Sequence, residues 1–202
     1  MKKEVNKNLP NYLTTLRIIL AFIIITVLLL PFEMMNISFS KYLIDGSVII
    51  DIKLIICAVL FIIASITDYY DGKIAREHNL VSNYGKVMDA IADKILVNGV
   101  LIALCGKGYI SPVIPVIIVI RDIIVNSIKM ISGDNGEVVG AIVTGKFKTA
   151  FLMIGIFLKL IGNYPMGMFN IALDDFFLIT ATVLALISGF EYFKMYKKYF
   201  ND

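Results

Sequence analysis

Long apolar blocks separated by short polar breaks run the length of this chain. The first extends from Leu13 to Pro31, and a polar stretch with Glu33, Lys41 and Asp45 follows it. The second begins near Val48 and runs into Asp68, and the third leaves from about Tyr84 and ends near Cys105, before Gly106 and Gly108. A fourth runs from Pro112 to about Ile131, and a fifth from Phe147 to about Ile161 after the polar loop Ser132 to Gly145. Asn163, Pro165 and Gly167 mark a turn before the sixth, Phe176 to about Tyr196. Each block approaches the ~20 residues that cross ~30 Å of hydrocarbon. In lipid such a segment satisfies its own backbone only as a helix. The pattern predicts an all-α integral membrane protein with six transmembrane helices. With no internal repeat, low-complexity stretch or composition boundary, residues 1–202 are expected to form a single membrane domain.

Composition agrees with the pattern. The chain is 58% hydrophobic and 17% charged, with a mean hydropathy of +0.83. A soluble domain is less apolar, and 202 residues cannot bury so much apolar side chain without lipid. The block after the basic segment Met1 to Pro10 is too long for a signal-peptide core, so it reads as a retained helix. Cys57 and Cys105 lie inside apolar blocks and read as small buried hydrophobes.

The net charge of +3 says less than its distribution. With the N-terminus inside, Lys2, Lys3, Lys7, Lys73, Arg76, Lys86, Lys146, Lys148, Lys194, Lys197 and Lys198 fall on one side. The other side keeps Lys41 and Lys107, with Lys53 and Lys159 near its boundary, beside Glu33, Asp45, Asp174 and Asp175. This asymmetry predicts that both termini face the cytoplasm of a cell-membrane protein. Membrane lipids are the expected surroundings, and nucleic acid is not an expected partner.

Candidate chemistry concentrates between Asp68 and Asp93. Asp68 and Asp71 are three residues apart, and Gly72, Ala75 and Arg76 continue the same side of a helix. Gly85, Asp89 and Asp93 follow at steps of four on the next helix. Two helices joined by the short loop Glu77 to Tyr84 pack antiparallel, so their aspartates are expected to meet. At ~4 Å a like-charge pair costs about 4 kcal/mol at an effective dielectric near 20. The site therefore calls for protons or cations. Two divalent ions balance four carboxylates, and oxygen-only ligands favour Mg²⁺ or Mn²⁺. Such a pair suits displacement at phosphorus. Gly72 and Ala75 leave the helix face bare for a ligand, and Arg76 is suited to phosphate. Aspartates at helix ends are more often solvated caps, and small residues more often packing positions. The whole ordered set outweighs that reading.

The order D-x2-D-G-x2-A-R-x8-G-x3-D-x3-D resembles the signature of the CDP-alcohol phosphatidyltransferases. Asp68, Asp71, Gly72, Ala75, Arg76, Gly85, Asp89 and Asp93 match every position. The resemblance implies a six-helix membrane enzyme, typically a homodimer, that passes a phosphatidyl or related group from a CDP-linked donor to an alcohol and releases CMP. It implies that Asp68, Asp71 and Asp89 hold two metal ions, with Asp93 completing the centre and acting as base. It also implies that Gly72, Ala75 and Arg76, with Ser82 and Gly85, hold the CDP part.

Outside the signature, three stretches are similar to the branch of that family that takes CDP-diacylglycerol and glycerol 3-phosphate. They are N-L-P-N-Y-L-T-T-L-R at Asn8 to Arg17, I-R-D around Arg121, and G-K-F-K-T-A at Gly145 to Ala150. The branch commonly has D-P-x-A-D-K where this chain has Ala90 after Asp89, and A-R-E where it has Ile120-Arg121-Asp122. Neither departure removes a metal ligand.

The residues point to the same acceptor. Arg121 sits inside an apolar block, where a cation is costly unless paired or bound to an anion. Lys129 follows two turns later, and Lys146 and Lys148 stand at the start of the next helix. Together they predict a site for an acceptor that carries phosphate. The opposing reading pairs Arg121 with Asp122 and lets the lysines snorkel. Asn11, Thr14 and Arg17 approach the nucleotide from the first helix or serve as capping and interfacial residues. His78, without a second His or a Cys nearby, reads as a solvated loop residue. Inositol, inositol phosphate, serine and phosphatidylglycerol are the alternative acceptors. An ion-coupled transporter is the competing class, but it would place its carboxylates near mid-span.

Overall fold

The computed structural model describes residues 9–44, 48–78, 82–134, 140 and 142–197. Among them lie six helices: α1 (Leu9–Leu29), α2 (Ile52–Glu77), α3 (Asn83–Gly106), α4 (Val113–Asp134), α5 (Val143–Leu160) and α6 (Leu173–Tyr196). The helices follow the apolar blocks, with their ends set by local chemistry. Pro10 stands in the first turn of α1, where its missing N–H removes no helix bond. Asp51 Oδ1 accepts the Lys53 N–H at 2.8 Å at the start of α2. Ser82 Oγ accepts the Gly85 N–H at 2.9 Å at the start of α3.

The chain is not all-α. Strands β1 (Lys41–Ile44) and β2 (Val48–Asp51) form an antiparallel hairpin with Lys41 opposite Asp51. The second helix therefore starts at Ile52 rather than near Val48, because the first four residues of that apolar block pair as a strand. At the other end α2 continues through Arg76 to Glu77, as the helical spacing of its aspartates predicts. Helices α4 and α5 each reach into the expected Ser132 to Gly145 loop.

Packing departs from expectation in one respect that matters for the site. α2 and α3 make few contacts with each other, because α1 packs against both. α5 pairs with α6, α4 packs on α6, and α2 meets α5, which joins the two groups. One apolar core runs through all six helices and includes Ile24, Phe61, Leu101, Ile118, Ile156 and Leu178. Cys57 is buried in it, and both cysteines are free thiols. Outward faces are apolar as well, with Phe22, Val116, Ile120, Ile179 and Leu186 exposed. Three helical stretches are long and apolar enough to cross a membrane: Leu9–Leu29, Ile52–Ala75 and Leu173–Tyr196. α3, α4 and α5 each carry three or more charged residues, among them Asp89, Asp93, Lys94, Arg121, Asp122 and Lys148 of the candidate site.

At the end of the molecule away from the aspartates, Lys159 pairs with Asp174 and Asp175, both at 2.7 Å. This ties the last turn of α5 to the first turn of α6.

Candidate active site

Three of the four predicted aspartates come together. Asp68 and Asp71 from α2 and Asp89 from α3 each offer an oxygen, all within 4.8 Å of one another. They meet around a residue of α1. Arg17 is completely buried, with Nη1 2.6 Å from Asp68 and 2.7 Å from Asp89, and with Nη2 paired to Asp71. Thr14, one turn earlier, has its hydroxyl 3.2 Å from Asp71 and 3.1 Å from the Pro10 carbonyl, two acceptors that share its one hydrogen. The cluster is a cup. Arg17 and Asp71 form its buried floor, while the Asp68 and Asp89 side chains are 46% and 50% exposed at its rim.

The cup's donor set is oxygen only, and three carboxylates against one guanidinium leave two negative charges in excess. Both properties fit a divalent cation such as Mg²⁺ or Mn²⁺. Among the described residues Nε of Arg17 is buried without a partner, and the residue bonds to the carboxylates through the two Nη atoms.

Asp93 is not part of that group. It stands one turn beyond Asp89 on α3 and is half-buried. The charged side chains that act on it are Lys94, Lys148, Asp122 and Arg17. It is thus within reach of the aspartate cup and of a second charge cluster.

That second cluster has the opposite sign. Asp122 of α4 is buried and holds three cations from three helices. Lys94 of α3 lies 2.6 Å from Oδ2, and Lys148 of α5 and Arg121 of α4 lie 2.9 Å and 3.1 Å from Oδ1. Asn98 donates to Oδ2 at 3.4 Å. Arg121 also donates from Nε and Nη2 to Ser188 of α6, at 3.1 Å and 2.8 Å. Its guanidinium stands 5.6 Å from the Tyr192 ring centre. Arg121 therefore does pair with Asp122, as the opposing reading of the sequence had it. Two further cations share that carboxylate, so the three outnumber Asp122 and the nearby Asp93 together and the cluster keeps an excess of positive charge.

The remaining predicted residues distribute unevenly. Gly72 and Ala75 are half-buried on α2, one and four residues beyond Asp71. The side chain of Arg76 lies outside the described residues. Ser82 is spent as the cap of α3. A side chain at Gly85 would stand 3.2 Å from Asn11 Oδ1, which puts Asn11 of α1 beside the start of α3. Lys129 lies over Tyr192 at 5.6 Å rather than on Asp122, and Lys146 is exposed. His78 is exposed at the end of α2.

Sequence reasoning missed the central place of Arg17, the cations gathered on Asp122, and Ser188. An arginine in an apolar helix with no acid nearby in sequence was the available signal for Arg17. Lys94 follows Asp93 directly and was hidden by it.

Similar proteins bear on the same residues. The CDP-alcohol phosphatidyltransferase family profile matches residues 7–189. The CDP-diacylglycerol–glycerol-3-phosphate 3-phosphatidyltransferase of Bacillus subtilis is 36% identical over 186 residues, covering 92% of this chain and 93% of that protein. The protein of the same name from Rickettsia felis is 34% identical over 198 residues, covering 98% and 99%. Its namesake in Mycoplasma pneumoniae is 38% identical over 159 residues, covering 78% and 69%. The matched region takes in α1 with Arg17, the aspartate cup and the Asp122 cluster, and the chain belongs to the CDP-alcohol phosphatidyltransferase family.

Proposed function

We propose that this enzyme transfers the phosphatidyl group of CDP-diacylglycerol to glycerol 3-phosphate, giving phosphatidylglycerophosphate and CMP. One observation carries the reading: a net-negative cup and a net-positive pocket both lie within reach of Asp93. The cup suits a metal-bound diphosphate. The pocket's excess of positive charge matches an acceptor phosphate, whereas an uncharged alcohol would leave it uncompensated beside the buried Lys148.

Two divalent cations held by Asp68, Asp71 and Asp89, with Asp93 completing the set, would stabilise the entering and leaving oxygens of displacement at phosphorus. Gly72, Ala75, Arg76, Ser82 and Gly85 border the CDP moiety, with Asn11 and Thr14 approaching from α1. Arg121 and Lys148 hold the acceptor's phosphate, with Lys129 and Lys146 further out. Asp93 takes the proton of the acceptor hydroxyl. The hydroxyl oxygen then forms its bond to the diacylglycerol-side phosphorus as the bond to CMP breaks. The signature offers no serine, cysteine or histidine nucleophile, which favours a single displacement. In this reading all six helices cross the cell membrane, the termini and the site face the cytoplasm, and the enzyme works as a homodimer.

The test is CMP release by purified protein with CDP-diacylglycerol and Mg²⁺, across a panel of glycerol 3-phosphate, inositol, inositol phosphate, serine and phosphatidylglycerol. Glycerol 3-phosphate is expected to support by far the fastest release. Turnover with another acceptor but not with glycerol 3-phosphate would overturn the reading.

A further inference from the structure

We infer that Asp122 and Ser188 are positioning residues for the acceptor phosphate, and that Lys94 is a third cation of its pocket. The inference rests on the proposed acceptor and goes beyond it, from which charges attract the phosphate to what aims them.

Donor accounting carries the argument. An ammonium has three donors, and Lys94 and Lys148 each spend one on Asp122. Arg121 spends Nε and one Nη2 hydrogen on Ser188, and one Nη1 hydrogen on Asp122. Among the described residues each lysine is thus fixed by one carboxylate, and Arg121 by one carboxylate and one hydroxyl, while at least two donors of each cation stay unspent. A structural ion pair needs one cation for one carboxylate. Three cations brought to Asp122 by α3, α4 and α5 repel one another, and Asp122 with the nearby Asp93 offsets only two of them.

Two glycines leave room for the Arg121 side chain. A Cβ on Gly145 would stand 3.2 Å from Arg121 Nη2, and one on Gly189 would stand 3.3 Å from Arg121 Cγ. Both distances are tighter than ordinary contact, so a side chain at either position would crowd Arg121. Ser188 then sets its rotation, because one oxygen accepts from both Nε and Nη2.

The charge and the aim of the pocket predict opposite outcomes for Asp122→Asn. If Asp122 only offset charge, its loss would strengthen the positive field and lower the KM for glycerol 3-phosphate. If it positions, the three cations spread apart and that KM rises.

The experiment is steady-state CMP release by the purified full chain, varying each substrate at saturation of the other. Asp122→Asn is expected to raise the KM for glycerol 3-phosphate by about tenfold or more, with the KM for CDP-diacylglycerol within about twofold of wild type. Asp122→Glu should recover most of the loss. Lys94→Gln and Ser188→Ala should each raise the same KM by roughly three- to tenfold. A lowered KM in Asp122→Asn, or an equal change for both substrates, would overturn the inference. If Asp122→Asn does not fold, an unchanged acceptor KM in Lys94→Gln and Ser188→Ala overturns it instead. Failure of the wild type to use glycerol 3-phosphate would overturn the functional reading itself, which separates the two.

Discussion

Arg17 lies among three aspartates, and Asp122 lies among three cations. The two clusters are near mirror images in charge, yet they differ in enclosure. The aspartate cup opens at Asp68 and Asp89, each about half exposed. The cationic cluster is tighter, with the Lys148 side chain 4% exposed and that of Arg121 12%, and it opens on the side of Lys94, which is 36% exposed. In both, the single charge of minority sign is buried within an excess of the other sign. An open cup suits a large donor that brings a diphosphate, and a narrower opening suits one small dianion. The comparison teaches that a buried charge surrounded by opposite charges acts as an organiser, while function lies in the surplus around it.

The comparison can be broken most severely at the cup. Asp89→Asn is expected to lower CMP release by about a thousandfold or more while leaving a monodisperse protein, since it removes a ligand without changing shape. Full activity in excess chelator would sink the metal role of these aspartates. Asp93→Asn, between the clusters, should lower kcat by about a hundredfold or more while donor KM changes little, as loss of a base does. A variant turning over near the wild-type rate would show that Asp93 is not the base.

Arg17→Met tests the organiser. Removing one partner from a buried ion cluster costs about 3–5 kcal/mol. The variant should therefore unfold at a clearly lower temperature in chelator and regain part of the difference in Mg²⁺, which thermal unfolding monitored by fluorescence would read. Equal melting of variant and wild type in chelator would mean that Arg17 does not hold the cup.

In the opposite cluster, Arg121→Ala should raise the KM for glycerol 3-phosphate by about tenfold to a hundredfold and leave that for CDP-diacylglycerol nearly unchanged. An equal effect on both would return Arg121 to a purely structural pairing. The smallest effect belongs to Lys146→Ala. Lys146 is exposed, and an exposed charge contributes about 1 kcal/mol or less, so the acceptor KM should move by no more than about fivefold. A larger change would bring Lys146 into the pocket.

How much of this was legible depends on sequence distance. Asp68 and Asp71 share one helix, and Asp89 follows after a short loop, so spacing brings the three to one end of neighbouring helices, while Arg17 of α1 is what they meet around. Arg17 is separated from Asp71 by 54 positions and from Asp89 by 72, and no local periodicity links them. The sequence alone reads it as a residue approaching a nucleotide or as a capping and interfacial residue, because nothing in the sequence places α1 between α2 and α3. Asp122 was legible as a partner for Arg121, its neighbour in the chain. It was not legible as the hub for Lys94 and Lys148, which come from two other helices. The hairpin was hidden because Val48 to Asp51 runs straight into the apolar block of α2, where short strand and helix start look alike.

Arg17 also sets a timetable for making the protein. At a synthesis rate of ~10 residues per second, the 72 positions that part it from Asp89 correspond to about 7 s. For about the first 5 s of that interval, until Asp68 and Asp71 are made, α1 carries a full positive charge toward a membrane with none of its partners yet emerged. An unpaired arginine holds an apolar helix at the headgroup level, because its guanidinium resists entry into hydrocarbon. The arrival of α2 and α3 supplies the carboxylates that let Arg17 be buried. The same contact that closes the floor of the cup thus commits the first helix to its final depth, and a chain halted before Asp68 has no means of reaching it.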